Sequence, residues 1–407
     1  MVSLSLGGTV SGQSSLHTSD GILPEAELRS FPSESHWAFQ QAGTETRIES
    51  QRIVRWGSWP GIRQEQAVWL SNGSWLCGDI RLPTAETVEV DSDWLQYPTL
   101  PLRAVRGLLL MPPRSLARWL DLQSQMESAR GERDVLWLTR GRKLSGVIRW
   151  PANAANSSPI QALQVDAGGQ LVDLPLHEIQ AIVFSPALLG ALPQNPPGWL
   201  IGLVDGSLLQ ATSLVPSSSR MTLDLGVVGK AVSYDPPQEF ARSLVLASRD
   251  TAGTSPLSRQ PVASYRHLPD STLSWQLGTD RDCLGRPLCT STGITPSGLA
   301  MHSDSQVAYR WDGSPARLLA EVRLALPPPQ ADGRLGSVHC QVLLAREGAL
   351  QTVHEFSLDR RPTAPHGSVE YIDLDITGAK LIVLVTEKSD FAQYGDHCLW
   401  LDARVTP

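Results

Sequence analysis

The sequence predicts an all-β protein in which three small barrel-like repeats, with one short helix among them, precede a larger two-sheet sandwich of jelly-roll type. Three observations predict it. The 407-residue chain carries 33 Gly and 30 Pro, a turn density that goes with many short strands. One phrase that reads as strand, turn, strand occurs three times in the first two-thirds of the chain. In the last third, apolar and polar residues alternate with the period of a half-buried strand.

The bulk numbers set the frame. A chain of 407 residues needs more than one hydrophobic core. A formal net charge of -7 leaves no positive excess to release counterions from a phosphate backbone, which argues against nucleic acid as a general partner. The five cysteines, Cys77, Cys283, Cys289, Cys340 and Cys398, are odd in number and scattered, unlike a disulfide scaffold. Cys283 and Cys289 are near enough to close a short loop, although burial as small apolar side chains is the simpler reading. No cysteine spacing matches a zinc site. No run approaches the ~20 apolar residues of a membrane span. Met1 to Leu16 is rich in Gly and Ser and lacks the basic start and apolar core of an export signal, so residues 1–50 read as a flexible segment.

The repeated phrase is Val68-Trp-Leu-Ser-Asn-Gly-Ser-Trp-Leu-Cys-Gly-Asp-Ile80, then Val135-Leu-Trp-Leu-Thr-Arg-Gly-Arg-Lys-Leu-Ser-Gly-Val-Ile148, then Leu200-Ile-Gly-Leu-Val-Asp-Gly-Ser-Leu-Leu-Gln-Ala-Thr212. The turn pairs Asn72-Gly73, Arg140-Gly141 and Asp205-Gly206 predict two-residue hairpins with positive φ. The central glycines are 68 and 65 residues apart, and each hairpin is followed by another apolar run. A unit of this length and strand number resembles the SH3-like or Sm-like barrel. The expected repeats occupy 51–114, 131–192 and 193–250. They are expected to pack on one another, because each alone is marginal.

Between the first two repeats, 115–130 holds the helix, with Leu116, Trp119, Leu120 and Met126 at helical spacing and Pro112-Pro113 before its start. That stripe reads as a packing face. Pro193 to Pro197 and 251–264 read as linkers.

The final domain is expected over 265–407. Val307, Tyr309 and Trp311 share a strand face, as do Val338, Cys340, Val342 and Leu344. Leu381 to Val385 reads as a central strand, and Leu399, Leu401, Ala403 and Val405 as the buried face of a closing half-buried one. Here Gly298-Leu-Ala-Met-His-Ser-Asp-Ser-Gln-Val-Ala-Tyr309, Gly336-Ser-Val-His-Cys-Gln-Val342, Asp373 to Val385 and Gly395-Asp-His-Cys-Leu-Trp-Leu-Asp-Ala-Arg-Val405 stand in order. Together they resemble the NPCBM family, the carbohydrate-binding module noted beside glycosyl hydrolase family 98 catalytic domains. The resemblance implies a galactose-binding-like jelly roll and an extracytoplasmic place of work. Its most distinctive block supplies Asp396, His397, Trp400, Asp402, Ala403 and Arg404, and its early block His302 and Ser305. Leu318 to Leu326 departs from the family's aromatic and glycine, and the Pro327 to Pro329 turn lengthens a loop.

A glycan site needs hydrogen-bonding side chains and an aromatic ring against an apolar sugar face. His302, Asp396 and His397 at strand ends, with Tyr394 and Trp275, are the candidate glycan-binding residues. Structural roles in loop hydrogen bonding compete with that reading, and Trp311 and Trp400 read as core. Asp280, Asp282, Asp304, Asp390 and Asp396 could offer oxygens to a structural calcium, although their spacing matches no dedicated loop. No nucleophile elbow, metalloprotease helix, phosphate loop or dinucleotide fingerprint occurs, so the expected function is non-enzymatic glycan binding. The alternative is a structural or protein-interaction protein working through the repeats. RNA binding by Sm-like units is weaker, because the hairpin tips lack basic and aromatic runs.

Overall fold

The computed structural model describes residues 14–407 except 63–65, 83–85, 150–161, 186, 188–197, 227, 269–273, 327–335, 361–367 and 390–394. Tyr394, Asp390, the Pro193 to Pro197 linker and the Pro327 to Pro329 turn lie outside the described residues.

The three hairpins form where the phrase places them, at Ala67–Leu70 with Trp75–Cys77, Asp134–Leu138 with Lys143–Arg149, and Trp199–Leu203 with Leu208–Ala211. Their loops have three residues, not two. The glycine N–H of Gly73, Gly141 or Gly206 donates to the carbonyl of Leu70, Leu138 or Leu203 at 2.9–3.0 Å, and positive φ falls on the glycine alone. This is a type I turn closed by a glycine bulge. Asn72 and Asp205 serve it differently from the expectation: their side-chain oxygens accept from Ser74 N at 3.0 Å and Ser207 N at 2.7 Å.

Residues 16–50, expected to be flexible, are a fourth copy of the unit. In every copy the last residue of the first strand pairs with the first residue of the last strand, at Thr18 with Ile53, Leu70 with Val105, Leu138 with Ile179 and Leu203 with Leu244, each beside a register shift. The next backbone N–H, of Ser19, Ser71, Thr139 or Val204, caps the carbonyl of Arg52, Ala104, Glu178 or Ser243 at 2.8–2.9 Å. That carbonyl ends a 3-10 turn in the first three units (Ser50–Arg52, Leu102–Ala104, Leu176–Glu178) and a second helix, Pro237–Ser243, in the last.

The units do not close as separate barrels among the described residues. Instead 14 strands share one sheet. The units at 134–183 and 67–109 join through their last strands, as do those at 199–249 and 16–57. The two halves meet where Leu208 pairs with Trp75. Helix Leu116–Glu127, capped by Ser115, covers one face of this sheet. Its Trp119 meets Trp75 edge-on at 5.1 Å, and Trp75 stacks on Trp69 at 5.2 Å.

The sandwich has the expected two sheets. One orders Gly278–Thr279, Gly298–His302, His397–Thr406, Arg317–Leu324 and Val369–Asp375; the other orders Val262–His267, Ser305–Arg310, Leu381–Lys388, Ser337–Arg346 and Ala349–Asp359. Residues expected in the linker 251–264 belong to it, since Ser255–Pro256 pairs with the last strand. Leu381–Lys388 is central, and Val307, Tyr309, Val338, Cys340, Val342, Leu344 and Trp400 fill the core.

The last strand is not half-buried. A bulge at Asp402, whose φ is +46°, shifts its phase. Cys398, Trp400, Ala403 and Val405 face the core, while Leu399 and Leu401 pack outside it with Leu288 and Ala325. Asp402 and Arg404 then also lie on the outer face, which the repeats cover in two places. In one, the hairpin Leu288–Thr290 with Gly293–Thr295 docks on the shared sheet, with Trp59 N to Ile294 O at 2.9 Å and Ile294 N to Trp59 O at 2.7 Å. Gly293 is required there, because a Cβ would stand 2.6 Å from Trp59 O.

In the other, a buried ionic network joins the N-terminal unit to the sandwich. Glu321 Oε2 accepts from Ser15 Oγ at 2.6 Å, Arg55 Nη2 at 2.7 Å and His17 Nε2 at 2.8 Å. Arg55 Nε also pairs with Asp402, and Arg404 Nη2 donates to Thr18 O at 2.6 Å. Burial and the Arg55 guanidinium lower the His17 pKa to about 4 despite the carboxylates beside it, so the imidazole is neutral near pH 7.

All five cysteines are free, and only Cys283 is not fully buried. Cys283 and Cys289 do not close a loop; burial pushes both thiols up to about 12. Since the thiolate is the reactive form, the folded protein at pH 8 should resist an aromatic disulfide reagent, with all five thiols reacting in strong denaturant. Fast labelling of Cys289 in the native state would mean that its hairpin is not docked as described.

Candidate functional site

The rim of the sandwich gathers three of the five expected site residues. Gly298–His302 and His397–Thr406 pair with His302 directly opposite His397, so the two imidazoles stand side by side at 4.8 Å and nearly perpendicular, at 87°. The chain before Gly278–Thr279 returns over them and lays the Trp275 indole on His302, with centroids 5.1 Å apart and planes within 8°. His397 meets that indole edge-on at 4.9 Å.

Backbone bonds hold the indole in place. Trp275 N donates to His267 Nδ1 at 3.1 Å, and Tyr265 Oη donates to Trp275 O at 3.1 Å. His267 also approaches His302 edge-on at 5.7 Å. The sequence reading missed His267. It belongs to the other sheet from His302, with no motif around it, and gives no local signal; only the pairing of Val262–His267 with Ser305–Arg310 brings it in.

His302 is buried, whereas Trp275 and His397 keep part of their surface in solvent. Burial, His302 and Arg286 lower the His397 pKa to about 3. A neutral imidazole offers one ring donor and one acceptor, beside an indole that offers apolar area and an N–H. This is an arrangement able to meet hydroxyl groups and a flat apolar patch on one ligand.

Asp396 has a different place. It is fully buried; its Oδ1 accepts from Ser337 N and its carbonyl from Ser303 N, both at 3.0 Å. It ties three loops together beneath the rim and presents nothing at the surface. The other acidic candidates are also dispersed among local tasks. Asp280 accepts from Gly298 N at 3.0 Å, Asp282 from Arg286 N at 2.8 Å, and Asp304 faces Lys388 at 3.8 Å. Among the described residues no group of three His, Cys, Asp or Glu is placed to hold a metal ion, and no helix is long and apolar enough to cross a membrane.

Fold and rim together define a two-sheet β-sandwich module carrying an aromatic and imidazole cluster at one end. Residues 257–406 match the NPCBM/NEW2 domain, which begins eight residues before the expected start at 265 and takes in the Leu257–Arg259 turn. No curated protein matches this chain. Among solved structures, a CBM51 module from Clostridium perfringens GH95 in complex with methyl-galactose is 18% identical, covering 38% of this chain and 99% of that chain, with a TM-score of 0.30. The CBM51-2 and INT domains of Clostridium perfringens ZmpB in complex with GlcNAc are 18% identical over 50% of this chain, which spans 42% of that one, with a TM-score of 0.30. Tandem CBM51 modules of a family 98 glycoside hydrolase from Streptococcus pneumoniae are 11% identical, covering 84% of this chain and 87% of that chain, with a TM-score of 0.30.

Proposed function

We propose that this chain is a non-catalytic glycan-binding protein that works outside the cytoplasm, and that its sugar site is the rim formed by Trp275, His302 and His397. The observation that carries this reading is the part-exposed indole of Trp275, fixed from below by His302 and edged by an imidazole that stays neutral. Carbohydrate sites pair such a ring with a few convergent polar groups. The NPCBM/NEW2 match over the same residues supports it. The absence of a catalytic motif from the sequence supports a binding role. His302 serves as the floor under the indole, and Asp396 as the clamp that fixes the strand carrying His397.

The test is a glycan array probed with the full chain, because the sandwich alone would expose the face that the repeats cover. Binding to a defined set of terminal sugars is expected, with at least a tenfold loss in Trp275→Ala. Array signals that are absent, or unchanged in Trp275→Ala, would end this assignment. The pH profile adds a second check: with the His397 pKa at about 3, affinity should be flat from pH 5 to 8. A midpoint near 6.5 would show that His397 is not held as described.

A further inference from the structure

A second site lies away from the rim, between the two bodies. A cleft of about 360 Å³ opens between the outer face of the sandwich and the shared sheet of the repeats. The docked hairpin and the ionic network border it. Its volume suits one sugar ring or a comparably small ligand.

The cleft's charges are unequally occupied. Asp402 is committed to Arg55, Asp280 to Gly298 N and Asp250 to Arg259 at 2.8 Å. Arg404 is committed to the junction, its Nη2 to Thr18 O at 2.6 Å and its Nη1 to Asp402 O at 3.1 Å, and one guanidinium differs. Arg249 stacks on Trp199 at 4.8 Å and has no carboxylate within ion-pair reach among the described residues; its Nε is buried without an acceptor. Its side chain lines the cleft and is part-exposed, so its unpaired guanidinium calls for an oxygen ligand bearing negative charge, the partner that guanidinium matches best. The rest of the wall is hydroxyl and amide: Gln210, Ser248, Thr251, Thr254 and Ser297.

From this juxtaposition we infer that the cleft binds a carboxylated monosaccharide, its carboxylate against Arg249 and its hydroxyls against the polar wall. The site belongs to neither body alone, and it stands whether or not the rim binds sugar.

The experiment uses the full chain with glucuronate, glucose and inorganic sulfate in calorimetric titrations. Glucuronate should bind at least tenfold more tightly than glucose, which lacks the carboxylate, and more tightly than sulfate, which lacks the ring. Arg249→Gln should remove that preference, while Trp275→Ala should leave it intact. Equal affinity for glucose, or no heat with glucuronate, overturns the inference; sulfate binding as well as glucuronate overturns its sugar half. In the unaltered chain, glucuronate should slow modification of Arg249 by phenylglyoxal, read by peptide mass spectrometry. Unprotected Arg249 overturns the site even if the variant does not fold.

Discussion

Replacing Glu321 with alanine should destabilise the protein by about 3–5 kcal/mol, the usual cost of removing one partner from a buried ion pair. Three donors converge on its Oε2, its Oε1 pairs with Arg323, and the carboxylate is 3% exposed. Without it, Arg55 keeps Asp402 but loses half of its compensation in a site that excludes water. The measurement is the urea midpoint of Glu321→Ala, with Arg52→Ala as the control. Arg52 pairs with Asp20 at the surface, where both side chains are about half exposed, and such pairs contribute ~0–1 kcal/mol. Similar midpoints for the two variants would dissolve the network as a structural element.

Acid should destabilise the protein, chiefly at the same junction, and the sign follows from His17 and Glu321 there and from His397 at the rim. The folded His17 has its pKa lowered from 6.5 to about 4 and His397 from 6.5 to about 3, so between pH 6.5 and those values the unfolded chain binds more protons. Stability therefore falls as pH falls through that window. His17 alone accounts for on the order of 3 kcal/mol across it. The Arg55 guanidinium and the His17 bond outweigh burial and hold the Glu321 carboxyl well below the usual range, which removes further stability once the pH drops below the unfolded value. Thermal melts from pH 7 to 4 should show a falling Tm that is blunted in His17→Gln. A Tm flat over that range, or one falling equally in the variant, would contradict neutral burial of His17.

The hairpins were legible because each carries its own chemistry: a glycine where φ must be positive, flanked by apolar strands. The sandwich was legible because Val338, Cys340, Val342 and Leu344 alternate as a buried face must. The merging of the units into one sheet was not, since edge pairing such as Leu208 with Trp75 uses backbone groups common to all residues. The fourth unit was overlooked although Thr18-Ser-Asp-Gly21 echoes the turn of the others; its following strands, such as Thr44–Glu49, are mostly exposed and polar and read as disorder. The closing block Asp396 to Arg404 was found as one motif but serves two ends of a strand. His397 reaches the rim, Asp402 and Arg404 reach the junction, and the bulge that separates their phases depends on a single φ.

The junction also constrains how the molecule is made. Thr18 and Arg404 bond across a separation of 386 residues, so the unit at 16–57 cannot seat its charged residues until the strand His397–Thr406 has emerged. Contacts of such range form late and slowly. Until then His17 and Arg55 must stay hydrated, and the sandwich, not the other repeats, completes their unit.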